Sequence, residues 1–446
     1  MTLSLLPYDF DEVRIFDDKL SDLEIIRKII AIENLEDPFH MFDVGDVVRK
    51  HRLWTDKIPR VVPHYAVKCN PNPTVIKTLA ALGASFDCAS KQEIVQVMAY
   101  GVPADRIIFA NPIKTPCQIR YAQKVGVSKM TVDSMWELRK IKEFYPEAKV
   151  IIRFRCDALV SDAYLGAKFG CDPDEEAKLL IRGCRDLGLD LHGFSFHVGS
   201  PCGEVLALSR GIGLCKGLID TARDYGFYNV QLIDIGGGVP GEADFVLDEF
   251  ADVINEALED VDPSIRVISE PGRYYVTSAF TAVAYLHGKK TTVDKNGFEH
   301  NMYYVNDGVY GSFLEELLQL KSRVPQAVDE SRETQDKHLS TLWGPTCDSL
   351  DCILKDVMMP EYQLGDWLYW KDMGAYSTCL GTNFNGFGVP IIFPVMRRSN
   401  WNDFMSEISK NNQVIVREID DEASDHPKSD SDEASELRSN NSNCSM

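Results

Sequence analysis

A (β/α)₈ barrel followed by a mainly β second domain is the fold class this sequence predicts, on three observations. Eight short apolar runs of β type alternate with amphipathic helical stretches between residues 60 and 275. After Glu270 the rhythm changes to strand-like runs separated by Gly, Pro and Asn turns. The chain has 446 residues, more than one hydrophobic core organises.

The eight runs are His64 to Cys69, Ser85 to Ala89, Ile107 to Ala110, Lys129 to Val132, Lys149 to Phe154, His192 to His197, Val230 to Ile235 and Arg266 to Ile268. Helical segments such as Pro73 to Leu82, Gln92 to Tyr100 and Asp174 to Leu187 lie between them, with apolar positions three or four apart. Eight β units joined by helices over roughly 200 to 250 residues is the measure of a closed barrel, and a doubly wound open sheet is the alternative that pattern leaves. Later strands are expected at Tyr274 to His287, Met302 to Val309, Asp366 to Trp370 and Val389 to Arg397, with one helix near Phe313 to Arg323. The organisation that follows is an N-terminal segment over 1–37 packing with the β domain, a barrel over 38–275, a β domain over 276–410 and a tail over 411–446. From Glu418 onward nine acids stand against two bases in Ser-, Asn- and Asp-rich sequence, which predicts a disordered acidic tail.

Composition excludes several classes. A formal charge of −21 argues against broad affinity for nucleic acid or anionic membrane. No run of eighteen apolar residues occurs, and acidic residues interrupt the N-terminus before any leader-like stretch, so a cytoplasmic protein is expected. Twelve scattered cysteines contain no CxxC pair and no His partner at zinc spacing, so neither a disulfide framework nor a metal site is expected.

Barrels of this kind collect their functional residues where strands end. Here those ends carry Lys68, Asp87 and Ser90, Arg153, His197 and Ser200, Asp234 with Gly236, Gly237 and Gly238, and Glu270 with Gly272 and Arg273. A lysine closing an apolar run is expected to have a depressed pKa and a nucleophilic amine suited to a Schiff base, although a lone lysine also simply snorkels from a barrel end. Three consecutive glycines after a strand offer bare N–H groups that a phosphate can approach, with Ser200 and Arg273 as further donors, although steric need alone also selects glycine there. Amine plus phosphate cradle suggests pyridoxal 5'-phosphate, whose pyridine nitrogen Glu270 would keep protonated while His197 stacks on the ring. Taken singly, His197 also reads as a core histidine and Glu270 as a partner of Arg273.

The motifs HYAVKCN (64–70), FDCASKQEI (86–94), FANPIK (109–114), FHVGS (196–200), DIGGG (234–238), SEPGRYYV (269–276), YYVNDGVYGSF (303–313), WGPTCDSLD (343–351), GDW (365–367), MGAY (373–376) and FNGF (384–387) carry a resemblance. The chain resembles the fold type III, group IV pyridoxal-phosphate decarboxylases, and within them the eukaryotic ornithine decarboxylases, over about residues 10 to 400. The resemblance implies that Lys68 forms the Schiff base, that Glu270 pairs with the pyridine nitrogen, and that His197 stacks on the ring. It further implies that Ser200, Gly238, Arg273 and Tyr376 hold the phosphate, with Asp87, Glu93 and Arg153 in support. It implies a homodimer with shared active sites, in which Cys347 controls protonation after carbon dioxide leaves and Asp348, Tyr310 and Phe384 contact substrate. The implied activity is conversion of a basic amino acid, L-ornithine by default, to its amine (putrescine) in polyamine biosynthesis.

The chain departs from that pattern after YGSF. The family follows it with a stretch ending in Tyr-Asp-His, whose aspartate binds the distal amine; here Leu318 and Gln319 stand in the tyrosine and aspartate positions. One charged hydrogen bond to a buried amine is worth about 1.5 to 3 kcal/mol, or roughly one to two powers of ten in affinity. Either Glu315 or Glu316 substitutes, or specificity moves to another amino acid, lysine or an apolar one. Antizyme inhibitors, non-catalytic relatives, also diverge here, but they typically lose cofactor-site residues that this chain retains. Residues 113–143 hold seven bases and three acids, a basic stretch that the resemblance assigns to the acidic regulator antizyme and that solvated helix faces also explain.

Overall fold

The computed structural model of the chain describes residues 10–161, 165–293, 295, 297 and 299–423, with backbone alone from 411 onward. Eight parallel strands close into a barrel: Val61–Ala66, Ser85–Cys88, Ile107–Phe109, Lys129–Val132, Lys149–Arg153, Asp190–Ser195, Leu232–Asp234 and Arg266–Ser269. All eight apolar runs of the sequence are represented. Closure comes from Val267 and Ile268 pairing with Val61 and Val62, which rules out the open sheet. Val62, Ile108, Ile151, Leu232 and Ile268, from five different strands, pack in one cluster, the layered filling that makes such a barrel a solid core.

The helices between strands start and stop at legible signals. Asn72 caps Pro73–Ala81, with the proline in the first turn where no N–H is needed. Ser90 and Ser134 accept from Glu93 N–H and Glu137 N–H to open Lys91–Ala99 and Met135–Phe144. Gly126 and Gly188 end two others in the left-handed region.

Two strands end two or three residues earlier than the sequence suggests, and both changes shape the site. The first stops at Ala66, and Val67–Cys69 forms a 3₁₀ turn, because Pro271 alongside supplies a carbonyl to Ala66 N–H (3.3 Å) but no N–H to continue a ladder. The sixth stops at Ser195, two residues before His197.

The second sheet runs in the order Arg14–Phe16, Ile391–Arg397, Phe39–Asp43, Phe280–Val293, Glu299–Val305, Lys337–Trp343 and Cys352–Pro360, with Trp367–Trp370 also paired to Phe280–Val293. Its core gathers Tyr303, Phe313, Leu342, Leu368 and Trp370. Helix Asp22–Glu33 packs Ile25, Ile26 and Ile29 against Phe39, Val283 and Val395. Phe39–Asp43, which the sequence assigns to the barrel, instead pairs with Phe280–Val293 and Ile391–Arg397. The helix expected over Phe313 to Arg323 is a single turn, Leu314–Leu317, because buried Glu315 and Glu316 turn toward arginines and the chain reverses at Gln319 (φ 56°). A helix, Arg398–Ala423, runs into the stretch predicted to be an acidic tail, of which 424–446 lie outside the described residues.

Two of the seven bases of 113–143 are buried. Lys114 donates to Asn111 O (3.0 Å) and Thr131 O (2.7 Å), pairs with Glu137, and has its pKa lowered by burial to about 8. Lys129 donates to Asp105 O. Arg120, Lys124, Arg139 and Lys142 remain exposed, together with Trp136, 75% exposed, whose ring lies 4.9 Å from the Arg139 guanidinium.

Candidate active site

Because parallel strands all point the same way, the turn after each one delivers its side chains to one rim. There Lys68, Arg153, His197, Ser200, Glu270, Arg273 and Tyr376 line a single cavity of about 510 Å³.

Lys68 Nζ donates to Asp87 Oδ2 at 2.7 Å; Asp87 is buried, and the lysine side chain is 45% open toward the cavity. The depressed pKa expected from burial does not occur: desolvation acts in that direction, but the charges of Asp87, Tyr376 and Glu270 outweigh it and raise the pKa above its ordinary value. Behind this pair lie two more buried carboxyls. Burial, then the neighbouring Asp234 and Asp87, pushes Glu270 well above the carboxylate range, and burial pushes Asp234 up to about 6. The Glu270–Asp234 pair thus holds a proton readily.

His197 is neutral, since burial together with Arg153 and Lys68 drives its pKa far down. Its Nδ1 accepts from Gly199 N–H at 3.1 Å, which places the ring proton on Nε2. The glycine turn is packed between this loop and the eighth strand. Asp234 Oδ1 accepts from Gly236 N–H, and Gly236 O accepts from Glu270 N–H (2.6 Å) and Ser269 Oγ. A Cβ on Gly237 would sit 2.6 Å from Glu270 O and 3.1 Å from His197 Nε2, and Gly238 needs φ 102°. Gly272 allows equally close approach, 2.7 Å from Cys69 Cβ. Glu93 lies off the cavity and accepts from Ala89 N–H, bracing the turn that follows the strand of Asp87.

Four predicted residues lie elsewhere. Cys347, Asp348, Tyr310 and Phe384 do not line this cavity but form their own cluster: Tyr310 Oη donates to Asp348 Oδ2, the Tyr310 and Phe384 rings are 4.7 Å apart, and Cys347 N–H donates to Asn385 Oδ1. Cys347 itself is exposed. The cavity in turn includes residues outside the expected set. Asn111 follows the third strand and the strand-end rule would have found it; Leu165, Lys168, Phe169 and Leu380 carry no signal in sequence. Leu314, Leu318 and Leu320 add an aliphatic wall, while Gln319 is not part of the lining. Neither glutamate of this segment is free, because Glu315 pairs with Arg273 and Arg323, and Glu316 with Arg323.

Residues 44–277 match the family model described as pyridoxal-dependent decarboxylase, pyridoxal binding domain. Mouse ornithine decarboxylase is 40% identical over 412 residues, 89% of this chain and 87% of that protein. Antizyme inhibitor 2 of Xenopus laevis is 43% identical over 392 residues, 85% of each. The solved arginine decarboxylase of Paramecium bursaria Chlorella virus superposes with a TM-score of 0.79 at 33% identity, covering 83% of this chain and 99% of that one. The chain belongs to the pyridoxal-dependent decarboxylases.

The cavity of this decarboxylase fits pyridoxal phosphate on its own chemistry. Arg273 Nη1 is buried without a hydrogen-bond partner, as is Asp87 Oδ1, so a donor and an acceptor are held ready for a ligand. Ser200 Oγ stands 3.5 Å from Arg273 Nε, and the Tyr376 ring lies 5.1 Å from that guanidinium, so three residues of the lining form a polar cradle; Gly236, Gly237 and Gly238 are not among the lining residues.

Proposed function

We propose that this decarboxylase acts on a basic amino acid, L-ornithine, releasing carbon dioxide and putrescine in the cytosol as a step of polyamine biosynthesis. The observation that carries the reading is the convergence of Lys68, His197, Glu270 and Arg273 on one cavity, with Asp87 bonded to Lys68. Bound pyridoxal phosphate supplies the electron sink for the pair released when the Cα–carboxylate bond breaks. Lys68 would be the amine that anchors it, Glu270 would supply the proton for its pyridine nitrogen, and neutral His197 would pack against its ring. Ser200, Gly236, Gly237, Gly238, Arg273 and Tyr376 would hold the phosphate, and burial, with Arg153 and Lys68 adding to it, keeps His197 uncharged.

The separate Cys347 cluster supports a homodimer with shared sites. Cys347 of a second copy then delivers the proton at Cα, and Asp348 receives the distal amine. A family relative that is an antizyme inhibitor keeps a non-catalytic reading open, and the intact lysine, carboxylates and glycines weigh against it. The leucine wall favours an apolar amino acid, or lysine, as the alternative substrate.

Carbon dioxide release from purified protein offered ornithine, lysine, arginine and leucine tests the substrate: ornithine should be fastest, and no release from any would refute the activity. Lys68→Ala should abolish the Schiff-base absorbance band. Antizyme is the proposed regulator on the face of 113–143, where Trp136 and Arg139 have the character of interface anchors; Trp136→Ala should weaken capture by at least tenfold in a titration followed by activity.

A further inference from the structure

The Arg273 guanidinium that faces the cradle is gripped from behind. Its Nη2 lies 3.0 Å from Glu315 Oε1, and both side chains are more than nine-tenths buried. Glu315 Oε2 in turn lies 2.6 Å from Arg323 Nη2, and Arg323 Nη1 lies 2.5 Å from Glu316 Oε1. Arg323 is anchored through its carbonyl, which accepts from Trp370 Nε1, and it lines a different cavity from the one that holds Lys68. The chain folds around Glu315, whose carbonyl accepts from Leu320 N–H.

A carboxylate beside the phosphate ligand has two effects of opposite sign. It fixes the guanidinium with one edge used and Nη1 left over for a ligand, but its charge repels the phosphate that Arg273 is there to bind. A second arginine on the far oxygen resolves the conflict: with Glu316, which also pairs with Arg323, the four groups sum to zero, and Arg323 supplies the positive charge that keeps them from −1. In a buried setting such a charge is weakly screened, so its removal is felt at the cradle.

We propose that Arg323 and Glu315 are positioning residues for the cofactor phosphate: Glu315 aims Arg273, and Arg323 cancels the charge that this aiming introduces. The proposal rests on Arg273 as a phosphate ligand; Glu315 lines the same cavity beside it, whereas Arg323 does not line that cavity.

The test compares pyridoxal phosphate with pyridoxal, which lacks the phosphate, by following the Schiff-base band during titration of apoprotein. Arg323→Met should weaken pyridoxal phosphate binding at least tenfold and leave pyridoxal within twofold. Adding Glu315→Gln to that variant should restore most of the lost affinity, because the uncompensated charge is gone. Equal weakening of both ligands, no weakening of either, or no recovery in the double variant overturns the proposal. Arg323→Lys, which keeps the charge, should stay near wild type and serves if Arg323→Met fails to fold. Arg273→Met should itself erase the preference for the phosphorylated ligand; if it does not, the cofactor reading fails first.

Discussion

Asp87 Oδ2 is 2.7 Å from Lys68 Nζ, and this one contact reverses the charge state that the lysine's position suggests. Burial alone would favour a neutral amine, whereas a carboxylate at this distance favours the cation. The amine is therefore stored protonated until a ligand takes Asp87's place or its proton. Asp87→Asn should move the pH at which Lys68 is reductively methylated downward by about one to three units, the range an adjacent opposite charge produces. Mass-spectrometric labelling against pH measures it, and an unmoved profile would refute the role given to Asp87.

Gly237 has no room for a side chain between Glu270 O and His197 Nε2. Gly237→Ala should cost roughly 1 to 3 kcal/mol of apoprotein stability through overpacking. It should also weaken cofactor binding at least tenfold, since His197 or the backbone of Glu270 must shift. Urea unfolding and cofactor titration read the two effects separately.

Leu318 is 57% exposed and lines the cavity where the family carries a polar pair nearby. A carboxylate there should attract the distal ammonium group of ornithine, a charge that leucine lacks. Leu318→Asp is expected to raise kcat/KM for ornithine by roughly ten- to a hundredfold, the value of about 1.5 to 3 kcal/mol for a charged hydrogen bond. Rates on leucine should fall in the same assay, and a parallel change on both substrates would contradict the assignment of this wall.

The buried acids predict a stability profile of definite sign. Burial raises Asp234 from 3.8 to about 6, so the folded state binds a proton more tightly than the unfolded one across that interval. Stability from this group is present at low pH and lost as pH rises from 3.8 through about 6. Asp43 and Asp307, each raised to about 6 by burial, add to the same fall. Asp234→Asn should therefore flatten, without abolishing, the decline in unfolding free energy of the apoprotein over this interval.

The parts of the site legible in sequence were those with a local cause. Lys68, Asp87, His197, the glycine turn and Glu270 each sit where an apolar run stops, and a barrel turns every such stop into a rim position. Glu315 and Glu316 were legible as carboxylates near the substrate but not as occupied ones, because Arg273 is 42 residues from its partner along the chain. Phe39–Asp43 was misassigned for the same reason: its partner strands begin at Phe280 and Ile391, and alternation of apolar residues does not name a partner.

The sequence by itself determined the eight strands, the caps and glycines that bound their helices, and the chemistry gathered at their ends, since each depends on neighbours within a turn or two. Tertiary structure alone decided the protonation of Lys68, the sequestering of Glu315 by two arginines and the distance of the Cys347 cluster from the cofactor cavity. Those outcomes depend on which charges meet in a low-dielectric interior, and only the closed fold brings them together.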